Sequence, residues 1–336
     1  MNWEKIEEKI KNEPSYRIKQ LKRLLFKDLI ENWDEATTLS LKLREELKKD
    51  CPLEIKYKMF ESKDGDSSKA LVELNDREKI EAVLMRHTDK RTTVCVSSQV
   101  GCGLNCVFCA TGMNGLKRNL KAGEIVLQIL LFARYLKKEK REITNIVFMG
   151  MGEPFLNYDE VMKAIRLIND ADAFNIGARK ISVSTSGVID GIKKFMNEDL
   201  QVNLSISLHA PNDKLRNSIM PINNKYHLVD VIKAVDKYIE KTGRKVMFEY
   251  LMIDGLNDSL ENAKELVLLM RNKPLYMVNL IIYNPTGKFK ASSKIVVKKF
   301  KEYLENHQIF TTQRYEFGRG IKAACGQLAG NSDIDK

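Results

Sequence analysis

The sequence predicts an α/β protein in which six β/α units form the main domain behind a small N-terminal domain of helices and strands. Three observations carry that prediction. From Thr92 onward, apolar runs of strand length alternate with longer amphipathic stretches, the texture of parallel β/α units. The first 90 residues read differently, with helical periodicity followed by period-two alternation. The length of 336 residues and a hydrophobic content of 43% suffice for one large core with an appendage.

Taken in chain order, apolar spacing predicts helices over 16–30 and 36–48, then strands near 55–59, 70–74 and 80–85. Together they make residues 1–90 an accessory α+β domain. Strands follow at 93–98, 143–149, 181–185, 202–208, 245–251 and 277–283, separated by helices at 122–136, 158–168, 187–196, 228–241, 259–270 and 294–306. These units assign 91–330 to the core domain and leave 331–336 as a tail. Six such units make a partial barrel, a complete barrel or a doubly wound sheet. In each of these, ligands sit in the loops beyond the strand C-termini. No internal repeat is present, and the only polar linker-like stretch is 62–68.

Composition excludes several classes. Charged residues make up 30% of the chain, and the most apolar helical stretch, 126–136, is short and interrupted by Gln128 and Arg134, so no membrane span is expected. The N-terminus MNWEKIEEKI has no apolar signal region, which makes a reducing cytoplasmic location the expectation. There the six cysteines do not read as a disulfide framework, and three of them within eight residues point to metal or catalysis. The net charge of +11 suits a polyanionic partner such as nucleic acid, although a mildly basic chain needs none. Between Thr286 and Cys325 nine basic residues face three acids, Glu302, Glu305 and Glu316, which concentrates that charge. A plain solvated helix face accounts equally for Lys298 to Lys301.

The segment Cys95-VSSQVG-Cys102-GLN-Cys106-VF-Cys109-ATG follows the first core strand. Thiolates at Cys102, Cys106 and Cys109 can each take one iron of a 4Fe-4S cluster and leave the fourth iron open. An open iron can bind and reduce a substrate, whereas an electron carrier closes its cluster with a fourth cysteine. A zinc site with Cys95 as fourth ligand is the competing reading, but the paired C-x2-C knuckles usual for zinc are absent. Further on, the strand at 143–149 runs into Gly150-Met151-Gly152-Glu153-Pro154, a glycine-rich turn where backbone can approach a ligand. A tight turn alone also explains those glycines.

The cysteine segment resembles the radical S-adenosylmethionine (SAM) superfamily, which implies a partial (β/α)6 radical-SAM barrel. Within it the chain is similar to the RlmN/Cfr family of RNA adenine methyltransferases, and closest to its RlmN branch. Seven segments carry that resemblance in order: CATGMNGLKRNL (109–120), FMGMGEP (148–154), SVSTSGV (182–188), SLHAPND (207–213), MPIN (220–223), YNP (283–285) and AACGQLAG (323–330). The resemblance implies a 4Fe-4S cluster, two molecules of S-adenosyl-L-methionine per turnover, and SAM contacts at Gly152, Glu153, Ser184, Ser207, Leu208, His209 and Asn284. Taken alone, His209 reads equally as a satisfied core histidine and Ser184 as a turn residue.

Carbons 2 and 8 of adenine are poor nucleophiles, and one-electron chemistry avoids the barrier to direct methyl transfer. The resemblance implies that Cys325 takes a methyl group from a first SAM and that a 5′-deoxyadenosyl radical from a second abstracts hydrogen from it. The resulting thiomethylene radical adds to the base. Cys95 matches the cysteine that then resolves the protein–RNA adduct, through a transient Cys95–Cys325 disulfide. Glu81, in Ile80-Glu81-Ala82-Val83, matches the proton acceptor, although by pattern alone it reads as a solvent-facing strand residue. Implied partners are 23S rRNA at the peptidyl transferase centre, tRNA at the adenosine 3′ of the anticodon, and an electron donor such as flavodoxin or ferredoxin. Cys51 matches nothing and reads as structural.

Two features depart from a plain RlmN pattern. Residues 317–322 read FGRGIK where the family often carries acids, and Asn12-Glu13-Pro14 with 16–20 (YRIKQ) echoes the Cfr branch, which methylates carbon 8 and confers antibiotic resistance. Pro154 and SLHAPND favour carbon 2. A metal-stabilised RNA-binding protein without enzymatic activity is the remaining alternative.

Overall fold

The structure, a computed structural model, describes residues 3–330 apart from Glu316. The tail expected at 331–336 lies outside the described residues, as do Glu316 and the side chain of Arg319.

The chain opens with α1 (Trp3–Ile10), α2 (Ser15–Phe26) and α3 (Leu41–Asp50), then β1 (Lys56–Glu61), β2 (Ser67–Glu73) and β3 (Lys79–Arg86). The predicted helix at 36–48 begins later because Ser40 caps it, accepting from the Leu43 amide at 3.4 Å. Asn32 and Glu35 form a capping box on a separate short turn before it. Cys51 is buried, and its carbonyl accepts from Trp33 Nε1 at 2.7 Å, which suits a structural residue.

The core follows as β4 (Thr92–Cys95), β5 (Gln99–Gly101), α4 (Ala110–Met113), β6 (Leu116–Asn119), α5 (Ala122–Lys138), β7 (Asn145–Phe148), α6 (Tyr158–Asn169), β8 (Ile181–Thr185), α7 (Ile189–Phe195), β9 (Asn203–Ser207) and α8 (Asp213–Ile219). It ends with α9 (Leu228–Thr242), β10 (Val246–Met252), α10 (Leu260–Met270), β11 (Tyr276–Ile282), α11 (Lys294–Asn306) and β12 (Thr311–Gln313). All six predicted core strands are present, and α11 keeps its predicted bounds. The hairpin β5–β6, the short helices α4 and α8, and β12 fall outside the sequence expectations, since they lie in the connections between β/α units or beyond the last helix, where no apolar run marks them.

The main sheet runs β1-β2-β3-β4-β7-β8-β9-β10-β11-β12. Pairs from β4 to β12 are parallel and those from β1 to β4 antiparallel, so the N-terminal strands extend one edge of the core sheet. The parallel strands form the α/β, partial-barrel core of six β/α units. The main hydrophobic core lies between the sheet and its helices and takes in Trp3, Phe26 and Trp33 of the N-terminal segment. A second, smaller cluster of Leu104, Cys106, Phe108, Met220, Leu251 and Tyr283 sits at the C-terminal ends of the strands. Ligands bind at this end of such sheets.

Candidate active site between the cluster loop and the Cys325 loop

A cavity of about 550 Å³ opens at the C-terminal ends of the parallel strands. Its wall includes Cys95, Cys102, Cys106, Cys109 and Cys325, five of the six cysteines.

The three-cysteine loop leaves β4 through a polar scaffold. Ser97 Oγ donates to the Glu81 carbonyl at 2.6 Å and accepts from the Met151 amide at 2.9 Å. Gln128, which interrupts the apolar face of α5, takes up both backbone groups of Ser97, accepting at 2.8 Å and donating at 3.0 Å. Gln99 accepts from the Glu153 amide at 2.8 Å. These bonds fix the loop against the turn after β7, and Phe108 and Leu104 press it into the smaller core. Burial pushes the Cys102 thiol up to about 12 and raises that of Cys106 further. Both would release a proton on binding metal.

The glycines after β7 serve packing. A Cβ on Gly150 would lie 2.7 Å from the Val96 carbonyl oxygen, and one on Gly152, at φ +101°, 2.6 Å from Gln99 Cβ. The tight-turn reading therefore accounts for them, and Gly152 still lines the cavity.

The floor is a polar network on β8, β9 and β10. Glu249 Oε2 accepts from Ser184 Oγ at 2.8 Å, and its Oε1 lies 2.6 Å from the Arg314 guanidinium. Ser184 and Ser207 hydroxyls are 3.3 Å apart. His209, at φ +56°, accepts the Leu251 amide on Nδ1 at 3.1 Å, which leaves the proton on Nε2. Burial, with the charges of Arg216 and Arg314, lowers its pKa to about 3, so the ring stays neutral. Arg216 is fully buried; among the described residues it pairs with no carboxylate, donating instead to the Leu208, Ser186 and Ser207 carbonyls and to Asn223. Burial lowers its pKa to about 10.

Opposite stands the loop after β12. Cys325 is open to the cavity yet enclosed by protein, and burial pushes its thiol up to about 11 against the pull of Arg314. Burial, then the neighbouring Cys325, raises the Cys95 thiol to about 12. Both are free thiols.

The donor set fits a cluster: three thiols of one loop, Cys106 buried and Cys102 and Cys109 partly exposed, share a cavity wall, and no fourth cysteine lies within that loop. Among the described residues no group of three His, Cys, Asp or Glu side chains could hold a metal ion by itself. A cubane presents a different iron to each thiolate and takes ligands spread more widely than a single ion does.

The family model of the radical SAM superfamily matches residues 96–267, half of the chain and the whole cluster loop. Two curated relatives, both described as probable dual-specificity RNA methyltransferase RlmN, are 45% identical. The protein of Dictyoglomus turgidum aligns over 94% of this chain and 91% of its own length, and that of Staphylococcus aureus over 93% and 86%. The crystal structure of a radical SAM methyltransferase from Sphaerobacter thermophilus superposes with a TM-score of 0.93 at 44% identity, covering 97% of each chain. The chain belongs to the RlmN family of radical SAM proteins.

Of the residues matched to the RlmN family's SAM contacts, Gly152, Ser207, His209 and Asn284 line the cavity. Ser184 lies beneath them on Glu249, and Leu208 is fully buried. Glu153 turns inward, its carboxylate accepting the Phe155 and Ser186 amides at 3.0 and 2.7 Å, and burial raises its pKa. Glu81 is not solvent-facing as pattern alone suggests. It is 1% exposed, because β3 is covered by the C-terminal loop. Sequence reasoning missed Glu249 and counted Arg314 only as surface charge. The signal for Glu249 is a carboxylate inside the apolar strand VMFEYLM, which requires a buried partner.

Proposed function

We propose that the protein methylates carbon 2 of adenine in 23S rRNA and in tRNA through a methylated Cys325. The observation that supports this reading is the shared cavity: the cluster cysteines, Cys95 and Cys325 face one space at the end of the barrel. Cys102, Cys106 and Cys109 would hold the cluster, and Gly152, Ser207, His209 and Asn284, backed by Glu153, Ser184 and Leu208, would hold SAM. Together these groups supply, when bound, a carbon-centred radical and a methyl group.

The rest falls to the chain's own residues. Cys325 carries the methyl carbon and joins it to the base. Cys95, as the thiolate, then attacks the Cys325 sulfur; the carbon–sulfur bond breaks with its electron pair going to the methylene carbon on the base, which takes up a proton to become the methyl group, and a Cys95–Cys325 disulfide remains for reduction. Glu81 accepts the proton leaving the base. Neutral His209 adds no positive charge near the cluster. Lys288 and Lys290, exposed beyond β11 near Asn284, offer phosphate contacts beside the cavity mouth. Lys298 and Lys301 pair with Glu302 and Glu305 on α11 and behave as a solvated helix face. The reaction requires a one-electron donor such as flavodoxin or ferredoxin, in keeping with a cytoplasmic protein. None of the described helices is long and apolar enough to cross a membrane.

The test is anaerobic reconstitution with SAM, reductant and unmodified 23S or transfer RNA, followed by nucleoside mass spectrometry. 2-Methyladenosine is the expected product. 8-Methyladenosine would move the chain to carbon 8, and SAM cleavage with no methylated adenine would overturn the RNA assignment.

A further inference from the structure

The segment carrying Cys325 is gripped on both flanks by one buried ion pair. Lys69 on β2 and Glu81 on β3 are diagonal neighbours on one face, with Lys69 Nζ 2.6 Å from Glu81 Oε1 and each side chain 2% exposed. Lys69 also donates to the Lys322 carbonyl at 3.3 Å, three residues before Cys325. Glu81 Oε2 accepts the amides of Ala329 and Gly330 at 2.6 and 3.1 Å, four and five residues beyond it. The two ions thus close a bracket around 322–330.

The sheet does not need this pair for its own sake. Two charges taken out of water cost more than an apolar pair of similar volume would, and β2 and β3 are already joined by a full antiparallel ladder. What the charges supply is hydrogen bonding to loop backbone, and bonds to an ionised group are roughly twice as strong as neutral ones. Neighbouring ties to the loop backbone, among them Thr111 Oγ1 to the Leu328 carbonyl, Asn114 to the Ala329 carbonyl and the Ala110 amide to the Gly326 carbonyl, are neutral.

We propose that the Lys69–Glu81 pair is a clamp that holds the Cys325 loop closed over the cavity, with Lys69 a positioning residue for Cys325. In the closed state both Glu81 oxygens are occupied. Opening the loop therefore strips the Ala329 and Gly330 amides from Glu81, which makes methyl transfer at Cys325 depend on the ion pair. This consequence rests on the proposed methyl-carrying role of Cys325, whereas the clamp rests on the contacts alone.

Limited trypsinolysis of the reconstituted holoenzyme reads the clamp directly, by the rate at which the fragment beginning at Ala323 appears. In Lys69→Met the rate rises about tenfold or more, since cleavage follows the population of the opened loop. The methylated fraction of Cys325 after incubation with SAM falls in parallel, at unchanged iron content. Lys69→Arg, which keeps the charge, restores both. Should Lys69→Met leave no folded protein, the double variant Lys69→Met/Glu81→Gln strands no charge and carries the same expectation. Wild-type protection in a folded variant that lacks Lys69 overturns the clamp. Loop release without Cys325 methylation in any form of the enzyme, wild type included, leaves the clamp standing and removes the methyl-carrier reading.

Discussion

The cluster loop and the Cys325 loop face the same cavity, yet the first is packed into the smaller apolar core and bonded to the strand ends around it, whereas the second is held largely by hydrogen bonds to residues more than 200 positions away in sequence. The first carries its three functional thiols within eight residues, so its chemistry is local. The second carries one thiol, and Cys95, its neighbour across the cavity, lies more than 200 positions away in sequence. The difference teaches that the cluster loop is packed as part of the barrel's core, whereas the Cys325 loop is docked onto the barrel from the other end of the chain.

The largest effect expected from breaking this contrast comes from the cluster loop. Cys106→Ala removes a ligand and part of the smaller core, and should lose iron and acid-labile sulfide along with all methylation. Cys325→Ala separates the two loops: the variant should keep its cluster and cleave SAM while forming no methylated adenine. A Cys325→Ala enzyme that still methylates would place the methyl carrier elsewhere.

Three smaller effects sharpen the contrast. Cys325, with its pKa raised to about 11, should react with iodoacetamide about tenfold faster for each pH unit between 7 and 9, because the thiolate fraction grows with pH below the pKa. A rate that levels off by pH 8 would show that Arg314 has already ionised it. Glu249→Gln leaves Arg314 without its carboxylate at the cavity floor, and should cost about 1–3 kcal/mol in denaturant unfolding, short of the full cost for a buried pair because Arg314 is partly solvated. Gly152→Ala meets both a positive φ and the Gln99 side chain, and should lower stability by about 1–3 kcal/mol, read as a lowered denaturation midpoint.

The same contrast explains what the sequence disclosed. The six core strands and their helices follow from periodicity, because each spans enough residues to show a face. The three-cysteine spacing is legible since all its ligands lie on one short loop. The roles of Cys95, Cys325 and Glu81 come only through resemblance, because Cys95 and Cys325 meet across more than 200 residues and Glu81 meets the C-terminal loop across a similar span. Pattern placed Glu81 in solvent because alternation cannot see a loop from the chain terminus laid over β3. Glu249 and Arg314 went unread for a related reason: each makes sense only beside the other, and the parallel sheet creates that proximity. Lys69, in the strand SSKALVE, makes sense only with Glu81 beside it and the Lys322 carbonyl within reach, contacts that no local pattern shows.

The most direct test of the meeting of these two loops is peptide mass spectrometry after a single turnover in the absence of thiol reductant. A disulfide-linked pair of peptides containing Cys95 and Cys325, formed in proportion to methylated adenine, is the result expected. Methylated adenine accompanied by free thiols at both positions would contradict it.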